Sequence, residues 1–126
     1  MASFVLPTAE RTSLANKLND DLDAGVLKLY SGAYDTGSVL VSLNLPAKAS
    51  NSVANGVLTF GAITQQNATA TGTAAYFKMF KTDGTTEVCH GDVSTSGATI
   101  NLNTTAIVTG GPVLISSAAI TVPAGT

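Results

Sequence analysis

The sequence predicts an all-β domain, an antiparallel β-sandwich of jelly-roll type with one N-terminal α-helix. Three observations predict it. Short runs of β-forming residues, separated by Gly, Pro, Asn, Asp and Ser, fill residues 26–122, whereas helical spacing is confined to residues 8–24. Asp83-Gly84 lies between two β-prone runs within residues 69–93, which reads as a long central hairpin. Residues 38–45 alternate, with Val39, Val41, Leu43 and Leu45 on one face and Ser42 and Asn44 on the other.

In chain order, residues 1–7 hold Phe4, Val5 and Leu6 with nothing local to cover them. They read either as an edge strand or as an arm that adds to a neighbouring subunit. Residues 8–24 form the helix, with Thr8 as cap, Glu10 near its positive end and Gly25 as a left-handed stop. Leu14, Leu18 and Leu22 are its expected apolar stripe. Asp20, Asp21 and Asp23 crowd its C-terminal end, and their spacing lacks the alternation and Gly of a calcium loop. They read as a solvated acidic turn.

Residues 26–30 and 38–45 are strands, 47–55 a loop of small residues, and 57–63 the next strand, with Leu58 and Phe60 on one face. In the hairpin, Ala75, Phe77 and Met79 share one face, and Tyr76, Lys78 and Phe80 share the other. A two-residue turn would put Val88, His90 and Asp92 beside Phe77 and Met79. A bulged loop would put Cys89 and Val93 there instead. Cys is among the most buried residue types, so the bulged pairing is expected, with His90 outside. Residues 98–103 form a short strand. The last strand, 112–123, changes parity between Val113/Ile115 and Ile120/Val122, which predicts a bulge near Ser116-Ser117. The sum is one domain over residues 1–126 with about seven or eight strands.

Only 11% of residues are charged and the net charge is −2, with no Lys/Arg cluster, so the composition invites no nucleic acid. Thr, Ala, Ser and Gly take the place of charge. Such a domain has either a surface of hydroxyls or a surface hidden in an assembly. A single Cys rules out an internal disulfide framework, and no run approaches a membrane span. Residues 1–10 lack the basic start and apolar run of a signal peptide, so folding in a reducing cytoplasm is expected.

The chemistry-bearing residues do not assemble into a catalytic pattern. Cys89 and His90 are adjacent and point to opposite faces of a strand. His90 and Asp92 share a face and could pair, but no Ser occupies an obvious third position. One His and one Cys cannot form a zinc site without carboxylates, and no Gly-rich phosphate loop opens a helix. The residues therefore read as a non-enzyme without cofactor or metal. The surface candidates are Phe4, Val5 and Leu6, and the face of Tyr76, Lys78 and Phe80. That face is either core, if this chain covers both sides of the sheet, or a contact patch.

Several segments in order resemble a family of small virion structural proteins of tailed bacteriophages and prophages. They are Leu27-Lys28-Leu29-Tyr30-Ser31-Gly32, Gly72-Thr73-Ala74-Ala75-Tyr76-Phe77-Lys78, Asp83-Gly84, Gly91-Asp92-Val93-Ser94-Thr95-Ser96-Gly97, and Leu102-Asn103-Thr104-Thr105 before Gly110-Gly111. Tyr76 departs from the family, where Trp is more frequent. The resemblance implies a capsid cement or decoration protein that binds the major capsid protein lattice beside copies of itself. It implies no cofactor, nucleic acid or membrane, synthesis in the host cytoplasm and residence on the capsid surface. A tail or neck component, or a β-sandwich that binds carbohydrate or a receptor, is the alternative.

Overall fold

The computed structural model describes residues 5–122 except 33–35, 47, 49 and 62, with backbone alone at 50 and 51. Phe4 lies outside the described residues. The chain is mostly β, with helix α1 (Thr8–Leu22) preceding strands β1 (Val26–Ser31), β2 (Val39–Asn44), β3 (Ser50–Ala54), β4 (Val57–Phe60), β5 (Gln66–Asn67) and β6 (Gly72–Phe80). Then follow β7 (Glu87–Ser94), β8 (Ile100–Leu102), β9 (Ala106–Ile107), β10 (Pro112–Val113) and β11 (Ile115–Thr121).

This is the expected all-β class with one N-terminal helix, and its main sheet is curled and mixed, in the order β2-β1-β6-β7-β8-β11-β4-β3, with β9 also pairing β6. β5 and β10 pair separately. β7 and β8 run parallel, Val93 opposite Ile100 and Ser94 opposite Asn101, across the short connection of residues 95–99. Side chains hold this reversal. Asn101 Oδ1 accepts the Ala98 N–H and its Nδ2 donates to Ala98 O, both at 3.0 Å, while Asp92 Oδ1 accepts the Thr99 N–H at 3.2 Å. Leu27, Leu29, Leu43, Phe77 and Met79 from one half meet Leu58, Ile100, Leu102 and Ala118 from the other in a single buried cluster.

The helix docks on a different stripe from the expected one. Ala15 and Leu22 are fully buried and Leu18 packs against the core, but Leu14 is 45% exposed. At 3.6 residues per turn, positions seven apart differ by about 20° around the axis, and positions eight apart by about 80°. Ala15 and Leu22 therefore share a line that Leu14 leaves. Its caps differ as well. Pro7 precedes the helix without a side-chain cap, and Thr8 is already helical, its Oγ1 accepting from Arg11 Nη2 at 2.9 Å. The left-handed stop is Ala24 (φ 55°), not Gly25. Gly25 is required for close approach, because a Cβ there would collide with the carbonyl oxygen of Phe80.

Two strand assignments also shift. In β2 a bulge between Leu29 and Tyr30 pairs Tyr30 with Val39, so Leu40 turns inward with Val41 and Val39 is left exposed. Residues 47–55, expected as a loop, contain β3, which pairs with β4 across Asn55-Gly56. Both residues have positive φ, 53° and 76°, as a two-residue primed turn demands. The expected bulge in the last strand is present between Ile115 and Ser117.

The central hairpin puts Cys89 opposite Met79, and Cys89 is on the core side as expected. The loop differs: Lys81 N–H donates to Thr86 O, so four residues, 82–85, connect the strands. The shift in pairing comes from a bulge at Val88, between Phe80 opposite Glu87 and Met79 opposite Cys89. Asp83 organises the loop by accepting from Thr85 N, Thr86 N and Thr86 Oγ1 at 2.9, 2.9 and 2.6 Å. The Thr86 side-chain bond is the main cause that lowers its carboxyl pKa from 3.8 to about 2. A folded-state pKa below the unfolded value stabilises the protein above about pH 4, and that contribution is lost as pH falls towards about 2. Urea titrations across this window are expected to show a stability loss that is smaller in Asp83→Asn; identical acid limbs would contradict the assignment.

Candidate functional site

The face of β6 that carries Tyr76, Lys78 and Phe80 is built by three strands. β1 supplies Val26, Lys28 and Tyr30 opposite Phe80, Lys78 and Tyr76, and β7 supplies Glu87, His90 and Asp92 opposite the same three residues. Tyr30 and Tyr76 stack, with centroids 4.8 Å apart and planes 6° from parallel. Lys28 Nζ lies 5.0 Å from the Phe80 centroid and Lys78 Nζ 5.5 Å from that of Tyr30, within cation–π range. Lysine stems and rings thus cover one another along the cross-strand diagonals.

This packing decides between the two readings of the face. Tyr76 is 6% and Phe80 8% exposed, so both rings are covered within the chain, and neither offers an open aromatic patch. Lys78 is half-buried, 3.7 Å from the Glu87 carboxylate. Of the N-terminal candidates, Val5 is 62% exposed, while Leu6 packs against the core and its carbonyl accepts from Arg11 Nε at 3.1 Å.

The partners that sequence reasoning missed are Lys28, Tyr30 and Glu87. Glu87 and His90 are three apart and would face opposite sides of a regular strand. The bulge at Val88 brings them together, and His90 Nδ1 stands 3.1 Å from Glu87 Oε2. His90 therefore pairs with Glu87, whereas Asp92 takes the Thr99 N–H. Cys89 points to the other face. Burial first, and then the Glu87 charge, push its thiol pKa up from 9.0 to about 11. It is half-buried against the core rather than fully enclosed. At neutral pH its thiolate is scarce, so labelling of the folded protein is expected to be slow and to become fast in denaturant. Equal rates in both states would overturn the pairing of Cys89 with Met79.

Beyond this row, Gly32, Ala75, Tyr76, His90, Gly91 and Asp92 line a shallow open cleft of about 450 Å³. A bulge between Tyr30 and Ser31 in the pairing of β1 with β6 leaves Ala75 beside Tyr76 at its rim. A second, largely apolar groove of about 380 Å³ lies between α1 and the end of β11, lined by Leu14, Lys17, Leu18, Ile120, Thr121 and Val122. Among the described residues no group of three or more His, Cys, Asp or Glu side chains could hold a metal ion. The acidic helix end is held instead by lysines: Asp21 lies 2.9 Å from Lys17 and 3.8 Å from Lys81, and the Lys17 hydrogen bond lowers its pKa. Among the described residues no helix is long and apolar enough to cross a membrane. A comparison with protein-family models, with curated proteins and with solved structures returned no match to this chain.

Proposed function

We propose that the protein is a structural component of a tailed-phage virion, a capsid cement protein that docks on the major capsid protein lattice among copies of itself. The observation that carries this reading is the character of the two ends of the sheet. Neither edge strand, β2 (VLVSLN) nor β3 (SNSVA), contains a charged residue or a proline. Charges and prolines are the usual devices that keep a sheet edge from pairing with another chain. In β2 alternate residues face β1, and Ser42 and Asn44 turn their backbone N–H and C=O groups away from it. The Leu40 carbonyl on that edge is taken by the Thr69 N–H at 2.8 Å. Strand addition at such an edge supplies many modest main-chain contacts, which a repeating lattice multiplies. The low charge and the resemblance of residues 26–121 to phage virion proteins support the same reading.

Docking through main-chain and apolar contacts is expected to withstand moderate salt better than a charge-steered complex. The contact candidates are the two edges and the N-terminal segment with Val5. Tyr76 and Phe80 serve instead as internal packing. The experiment is add-back of purified protein to stripped particles of its virus, with occupancy read by electron microscopy. Full-length protein is expected to return to the shell, and deletion of residues 1–6 to reduce its occupancy while leaving the sheet folded. Protein that never returns to shells, or that decorates tails instead, would refute the cement reading.

A further inference from the structure

We propose that Asn55 is a latent modification site, where the side-chain amide is lost through a succinimide ring closed by the Gly56 nitrogen, and that docking of α1 keeps that ring from closing. This goes beyond lattice docking, because the chemistry needs only this chain and water. Asn55-Gly56 is the chain's only Asn-Gly pair, and Asn55 is exposed. A nucleophilic nitrogen one residue along makes the attack intramolecular, and glycine presents no Cβ to hinder it. The Gly56 amide gives up its proton to solvent base, and its nitrogen forms a bond to Asn55 Cγ. The Cγ–Nδ2 bond breaks, and Nδ2 takes a proton and leaves as ammonia. Water then opens the imide at one of its two carbonyls, leaving either aspartate or isoaspartate.

The structure holds this step back at the nucleophile. Gly56 is buried, and its N–H donates to Thr12 Oγ1 of α1 at 3.0 Å. A hydrogen bond to the protonated nitrogen opposes its deprotonation. The Gly56 carbonyl accepts the Val122 N–H at 2.8 Å, so both ends of the glycine are tied to other elements. The helix also stands against it, since a Cβ on Gly56 would lie 2.7 Å from Arg11 Cβ. Swinging the nitrogen onto Asn55 Cγ therefore requires α1 to lift away from the β3–β4 turn. Asp83 before Gly84 is closed to the same chemistry for a different reason. Its carboxylate is held ionised by Thr85 and Thr86, and an ionised carboxylate is a poor electrophile. Conversion at Asn55 adds a negative charge directly after β3, a strand without a charged residue. Isoaspartate also adds a methylene to the main chain of a primed turn whose two residues both have positive φ.

The test is incubation of the full chain at mildly alkaline pH, with peptide mass spectrometry reading conversion at each asparagine. In urea, Asn55 is expected to convert faster than every other asparagine. In the folded parent it is expected to convert at least about tenfold more slowly than in urea. Folded Thr12→Val, which removes the acceptor at nearly constant shape, is expected to convert about three- to tenfold faster than the parent. Thr12→Ser, which keeps the hydroxyl, is expected to match the parent. Hydrogen exchange of the Gly56 amide in the parent is a second reading that needs no variant. Conversion and exchange are expected to rise together as urea is added below the unfolding transition. The proposal is overturned if another asparagine converts first in urea, or if the folded parent converts as fast as the unfolded chain. It is equally overturned if folded Thr12→Val converts at the parent's rate, or if conversion does not follow Gly56 exchange.

Discussion

Leu22→Ala is expected to destabilise the protein by about 2–5 kcal/mol, whereas Leu14→Ala changes stability by less than about 0.5 kcal/mol. Leu22 is fully enclosed in the core cluster, and truncation leaves a cavity at the end of a helix that cannot shift. Two hydrogen bonds and one close approach of backbone fix that helix. Gly56 N–H donates to Thr12 Oγ1 at 3.0 Å, Gly25 N–H donates to Leu22 O at 2.9 Å, and a Cβ on Gly56 would lie only 2.7 Å from Arg11 Cβ. Leu14 is nearly half exposed at the rim of the groove beside β11, where removing its side chain opens no enclosed space. Urea denaturation of the two variants measures the difference directly. Equal losses at both positions would mean that the helix docks on the Leu14–Leu18–Leu22 line instead of through Ala15 and Leu22.

Phe77→Ala is expected to cost about 3–5 kcal/mol, the largest effect of a single truncation in this protein. Phe77 is 1% exposed at the middle of the longest strand, flanked by Leu29 on β1 and Gly91 on β7. The glycine is part of the same fit: a Cβ at position 91 would stand 2.8 Å from Phe77 Cε1 and 3.1 Å from its Cζ. Gly91→Ala is therefore expected to destabilise by about 1–3 kcal/mol through overpacking. Combined with Phe77→Leu, which removes the ring edge, it is expected to cost less than the sum of the two single changes. Additive losses in that double-mutant cycle would show that residue 91 matters for another reason.

These residues also show what the sequence discloses. The alternation of Val41, Leu43 and Leu45 and the parity break before Ile120 are local signals that appear in the structure at their expected places, and Asp83-Gly84 does lie in the hairpin loop, although that loop has four residues. Asn55-Gly56 is as strong a hairpin signal. It is obscured because Ser50, Asn51 and Ser52 lack apolar alternation, so only the turn chemistry announces β3. Bulges at Leu40 and Val88 reverse side-chain direction, and nothing in composition marks either one. The parallel step from β7 to β8 likewise depends on Asn101 and Asp92 reaching back to the backbone, which spacing alone does not reveal.

The outer face was legible in halves. Alternation assigns Tyr76, Lys78 and Phe80 to one side of β6, and Lys28 and Tyr30 to one side of β1. Whether the aromatics are exposed depends on which strands are neighbours. Only once β1 lies against β6 do Lys28 and Tyr30 close over Phe80 and Tyr76. Glu87 joins the face through the Val88 bulge, so its link to His90 could not be read from spacing.

The most direct test of the proposed role is a density map of the intact particle with the protein in place. The account predicts copies on the shell, with β2 or β3 extended by a strand of a neighbouring chain and the stacked Tyr30–Tyr76 pair turned away from that contact. Protein found on the particle with both edges open to solvent, or seated through the Tyr76–Phe80 face, would contradict edge docking. Protein located only on the tail would contradict the capsid assignment itself.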